Sequence, residues 1–90
     1  MRLDLFLKTS RLVKRRAVAQ ELCNSGRALV NGRAARPSKE VKPGDGITLQ
    51  FSNRSIEIEI LAMPAVRRNS GTNEPYRVIR ETRFTHKDDT

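Results

Sequence analysis

Ninety residues carry 18 Lys/Arg against 10 Asp/Glu, a net charge of +8. That length makes one small domain, able to bury roughly 60% of its unfolded surface. One Cys excludes an internal disulfide and a multi-Cys zinc site, and no run approaches the ~20 apolar residues of a membrane span.

In chain order, Asp4 can cap a short first helix in which Leu3, Phe6 and Leu7 recur at helical spacing. Arg2, Asp4 and Lys8 interrupt this apolar stretch, so it does not read as a signal peptide. The first helix should end near Thr9-Ser10, and a second should run from about Lys14 to Asn24. Its apolar stripe is Val18, Ala19, Leu22 and Cys23, and Gly26 is a natural stop. Residues 27–36 read as a hairpin, because Asn31-Gly32 suits the two positive φ values of a type I′ turn. Pro43-Gly44-Asp45-Gly46 is a second turn.

Clean alternation follows. Ile47, Leu49 and Phe51 face one side, with Thr48 and Gln50 on the other. After a turn at Ser52-Asn53-Arg54, Ile56, Ile58 and Ile60 repeat the inward pattern with Glu57 and Glu59 outward, and Pro64 ends the strand. The expected order is two helices and then four short strands. Residues 65–75 read as a loop, Tyr76 to Ile79 as a last strand or docked tail, and 84–90 as a fraying end.

The charge is not evenly spread. Residues 1–42 hold eleven Lys/Arg against three acids, which is the whole excess, whereas residues 43–90 hold seven of each sign. A basic first half on a neutral second half points to a polyanion-binding face, most often for nucleic acid. Lys14-Arg15-Arg16 stands where the second helix begins, the wrong end of the helix dipole for cations, at a cost of roughly 0.3–1 kcal/mol each. A bound phosphate offsets that cost, since free amides and guanidinium groups converge on one anion. Lys8 and Arg11, one or two turns upstream, extend the patch. The competing view makes these cations solvated groups whose stems cover the core. Exchanging both Arg15 and Arg16 for Glu is expected to abolish RNA binding and leave the fold intact. Only Phe6, Phe51, Tyr76 and Phe84 are aromatic, and the first two fall on predicted core faces. Base stacking is therefore a minor term, and structured RNA read by shape and backbone fits better.

These residues resemble a known family. Met1 to Asp4, Ser10-Arg11-Leu12, Lys14 to Ala17, Gly26 to Gly32 and Val41 to Asp45 are together similar to the RNA-binding domain named after small-subunit ribosomal protein S4. The resemblance covers residues 1–62, leaving 63–75 as a loop and 76–90 as a short strand or tail. It implies an α+β fold, with two N-terminal helices packed on a small twisted, mostly antiparallel sheet, in an L-shaped RNA-binding surface. Carried over, the contact residues are Arg2, Ser10, Arg11, Lys14, Arg15, Arg16, Asn31, Gly32 and Arg33, with Lys39 at the margin. Lys14 departs from the Ser or Thr cap of many members. The stand-alone length resembles the subfamily that stabilises P-site peptidyl-tRNA on split large ribosomal subunits while stalled chains receive alanine tails. That implies rRNA and tRNA as partners, the large subunit with peptidyl-tRNA, and RqcH, the tailing factor. A heat-shock-induced subfamily that binds obstructed large subunits is the runner-up. It carries a strongly basic C-terminal extension, whereas residues 65–90 here hold six basic and four acidic residues.

An enzyme is the main rival class, and it is not expected. Glu57 and Glu59 alternate outward and read as solvated, His86 lies in the tail, and Cys23 falls on an apolar stripe. The 43–46 turn lacks the Lys-Ser/Thr of a phosphate loop. A protein-interaction module is the second rival, with the Glu57/Glu59 face as its candidate surface. A monomeric, cytoplasmic protein without cofactor or metal is the expectation.

Overall fold

The computed structural model describes residues 1–63 and 74–83. Helix α1 (Leu3–Thr9) and helix α2 (Arg16–Asn24) precede a five-stranded sheet. Its strands are β1 (Ala28–Val30), β2 (Arg33–Ala34), β3 (Gly46–Gln50), β4 (Arg54–Ile60) and β5 (Tyr76–Arg83), in the order β2-β1-β3-β4-β5. Every neighbouring pair is antiparallel.

Leu3, Phe6 and Leu7 of α1 are fully buried, as their spacing requires. Asp4 is not the cap expected of it: Arg2 occupies the N-cap and its side chain makes no capping bond. The amides of Leu3 and Asp4 instead donate to the Lys39 and Pro37 carbonyls at 2.8 and 3.1 Å. A strap of backbone between β2 and β3 therefore closes the start of α1. Arg2 and Glu40 form an isolated antiparallel backbone bridge, and the Val41 amide donates to the Met1 carbonyl at 2.9 Å.

Helix α2 starts at Arg16, two residues later than the spacing predicted, because residues 10–15 are needed to turn the chain. Arg11 makes that turn with φ 68°, and its amide reaches the Lys8 carbonyl at 3.0 Å. Ala19, Leu22 and Cys23 are buried, but Val18 is 41% exposed and lies off the stripe. Helix α2 ends where Gly26 was expected to stop it. Gly26 has φ 79°, its amide donates to Cys23, and the Arg27 amide donates to Leu22 at 2.8 Å.

The β1–β2 hairpin turns at Asn31 (φ 53°) and Gly32 (φ 87°), the two left-handed positions of a type I′ turn. In the sheet, Val30, Ile47, Ile58 and Val78 stand in one cross-strand row. The first three are buried under the helices, and Val78 is 49% exposed. The core thus thins toward β5. Phe51 lies just beyond β3, only partly buried, with the Arg54 guanidinium 4.9 Å from its ring centre. The fifth strand is longer than the short segment expected. It pairs along the whole of β4, with a register shift at Glu57/Ile58. Most of the 63–75 loop and the end beyond Arg83 lie outside the described residues.

Candidate nucleic-acid interface

The corner between the two helices holds Lys8, Arg11, Lys14 and Arg15, all exposed. None of the four forms an ion pair among the described residues. Arg15 is the N-cap of α2 with extended backbone and no side-chain cap. The Val18 and Ala19 amides both donate to the Arg15 carbonyl at 3.1 Å, which leaves the Arg16 and Ala17 amides open to an outside acceptor, as the unfavourable placement of the cations suggested.

Arg2 and Arg16 are held differently. Asp4 is fully buried between the helices. It accepts from Arg2 Nε and Nη2 at 3.2 and 3.3 Å, from Arg16 Nε at 3.2 Å and from Gln20 Nε2 at 3.0 Å. Burial by itself raises this carboxyl. The bonds from Gln20 and Arg16, with the charges of Arg16 and Arg2, outweigh it and hold the group below its ordinary value. The Arg2 and Arg16 side chains nonetheless stay 46% and 42% exposed. Arg16 is thus both surface cation and structural partner. The expectation that exchanging both Arg15 and Arg16 for Glu leaves the fold intact does not survive this geometry at Arg16, because a second carboxylate there would face Asp4.

Ser10 is buried, and its hydroxyl donates to the Leu7 carbonyl at 3.3 Å while accepting from the Leu12 amide at 3.5 Å. Its side chain shapes the corner that presents Arg11. Asn31 is likewise committed: its Nδ2 donates to Asp45 at 3.2 Å and its Oδ1 accepts the Gly46 amide at 2.9 Å. Asp45 also accepts the Lys42 amide at 3.1 Å and Lys42 Nζ at 3.4 Å. Burial raises the Asp45 carboxyl, and the bonds from Asn31 and Lys42 bring it below its ordinary value. This lock fixes the hairpin tip, leaving Gly32, Arg33 and, on the neighbouring strap, Lys39 exposed.

Composition and spacing did not reveal the part played by Asp4 and Asp45. For Asp4 a signal existed. It lies one residue from Leu3 and three from Leu7, on the apolar side of its helix, where a carboxylate needs partners.

The other candidates resolve quietly. Glu59 is paired with Arg77 Nη2 at 2.8 Å, and Glu57 stands opposite Arg80 across the β4–β5 pair, so the acidic face has cations beside it. Cys23 is buried, and burial, helped by the Asp4 charge, pushes its thiol up to about 11. No metal-ligand cluster and no helix long and apolar enough to cross a membrane occur among the described residues.

Comparison with known proteins adds four findings. The family model described as the S4 domain matches residues 1–47. The RQC P-site tRNA stabilizing factor of Bacillus subtilis is 36% identical over 93% of this chain and 98% of its own. The factor of the same name from Halalkalibacterium halodurans is 41% identical over 90% of this chain and 92% of its own. Among solved structures, the trimeric structure of Vibrio cholerae heat shock protein 15 superposes with a TM-score of 0.72 at 31% identity, covering 87% of this chain and 80% of that one.

Proposed function

The chain belongs to the S4 domain family, and on that premise we propose that it is an RNA-binding factor of ribosome-associated quality control, stabilising tRNA in the P site. The observation that carries the reading is the exposed, unpaired cluster Lys8, Arg11, Lys14 and Arg15 at the open start of α2. Phosphate is the ligand that such a cluster of donors recognises without sequence preference. The relatives' name supplies the site of action.

The finer reading has the chain contact rRNA and tRNA together on a large subunit that still holds peptidyl-tRNA. It works there as a monomer in the cytoplasm while RqcH extends the nascent chain with alanine. In this reading the chain performs no chemistry of its own. The high thiol pKa of Cys23 and the pairing of the outward Glu59 with Arg77 support that. The resemblance to heat shock protein 15 favours a second reading, a factor for obstructed large subunits. Residues 65–90, with six basic and four acidic residues and so no strongly basic extension, weigh against it.

Binding to tRNA and to large-subunit rRNA, measured between low and physiological salt, tests the phosphate reading. With about four to six phosphates contacted, log affinity should fall with log salt at a slope of about −3 to −5. A slope near zero would remove the role assigned to the cluster.

A further inference from the structure

The helix corner and the β1–β2 hairpin are separate basic regions in the sequence, and two hollows of the fold lead from the hairpin to Arg2, which Asp4 ties to Arg16 beside the corner. The first is a cleft of about 460 Å³ whose lining includes Arg2, Gln20, Asn24, Arg36 and Ser38. The second is a hollow of about 330 Å³ lined in part by Arg33, Arg36, Ser38 and Lys39. Arg36 and Ser38 line both. Among the described residues no acid lines either one.

The walls are held in place. Arg36 precedes Pro37, which keeps it extended. The Lys39 amide donates to the Arg36 carbonyl at 3.0 Å, and the strap is tied to α1 through the amides of Leu3 and Asp4. Arg2 is fixed through two donors on Asp4. The Arg36 side chain is exposed and forms no ion pair or hydrogen bond among the described residues. A free guanidinium on a rigid strap, beside a second one already aimed, suits a phosphodiester.

We propose that Arg36, together with Arg2 as held by Asp4, forms a phosphate-binding link that makes the helix corner and the hairpin one continuous track for an RNA backbone. The proposal rests on the RNA-binding reading and adds a site to it. The track runs from Arg16 to Arg2, both held by the buried Asp4, across the cleft to Arg36, and on to Arg33 and Lys39. Asp4 is a positioning residue here. It touches no RNA, but without it two guanidinium groups must be ordered at the moment of binding.

The test uses the full chain with labelled tRNA and with purified large ribosomal subunits. Arg36→Ala removes a side chain that holds nothing in the fold, so circular dichroism and Tm should not change. Affinity should fall about three- to tenfold, and the salt slope should become shallower by about 0.7–0.9, the value for one phosphate. Asp4→Asn gives a test of sign. It raises the net charge by one, so a purely electrostatic surface would bind RNA more tightly, whereas a positioning role predicts weaker binding. That loss should disappear when Arg2 and Arg16 are both Ala, as a double-mutant cycle requires of a residue acting through them. Wild-type affinity and slope in Arg36→Ala would overturn the link. So would unchanged or tighter binding by folded Asp4→Asn. Should Asp4→Asn not fold, the Arg36 arm decides alone. Failure of the wild-type chain to bind either probe would instead reject the RNA-binding reading itself.

Discussion

Arg11 carries a backbone conformation that its side chain disfavours. At φ 68° an L residue sets its Cβ against the neighbouring carbonyl, at roughly 1–2 kcal/mol, and Gly is the usual choice at such a helix end. The exposed guanidinium is the reason consistent with an RNA-binding corner. Arg11→Gly and Arg11→Ala both delete the charge, and only the first relieves the strain. Both should weaken RNA binding equally, while thermal unfolding should show the Gly variant about 1 kcal/mol more stable than the Ala variant. Equal stability would mean that the turn is not strained.

Asp45 gives a second prediction at this scale. Its folded-state carboxyl lies below the ordinary 3.8. A depressed folded pKa contributes stability that is fully present above the unfolded value and is lost as pH falls through the folded one. The Tm difference between wild type and Asp45→Asn should therefore be constant above about pH 5 and shrink below about pH 4. A difference that grows in acid would contradict the assigned bonds from Asn31 and Lys42.

Among the elements, the start of α2 divides its basic triplet. Lys14 and Arg15 are exposed and unpaired, whereas Arg16 is tied to Asp4. Lys14→Glu with Arg15→Glu places acids at the favourable end of the helix dipole. That variant should melt at or above the wild-type temperature and lose at least tenfold in RNA affinity, since at least two phosphate contacts are gone. Arg16→Glu should instead melt lower, because it leaves the buried Asp4 facing a like charge. Comparable melting of the two variants would show that the Asp4 pair contributes nothing.

How far the elements could be read from the chain follows from what fixes each one. The type I′ turn, the alternation of β3 and β4 and the glycine stop of α2 are local and were legible at Asn31, Ile47, Ile58 and Gly26. The start of α2 was misplaced because it depends on how Ser10 and Arg11 turn the corner. Strand β5 was underestimated because its pattern is set by Glu59, Glu57 and Glu81 pairing across strands, with only Tyr76 packed against the core. In the interface, the free cations were legible as a charge excess. The commitment of Asn31, Ser10 and Arg16 was not, because their partners lie in distant segments or in the corner itself.

For the whole molecule, binding rests on summed contact. A single small module buries a limited area on nucleic acid. Touching two RNAs at once makes the second contact effectively intramolecular, which raises avidity without any new side chain. The same surface should therefore bind a subunit with its tRNA far more tightly than either RNA alone. The most direct measurement is sucrose-gradient sedimentation of the tagged chain with large ribosomal subunits, before and after puromycin releases the nascent chain and tRNA is lost. The chain should comigrate with subunits that hold peptidyl-tRNA and leave them after release. Equal comigration with empty and tRNA-loaded subunits would contradict this.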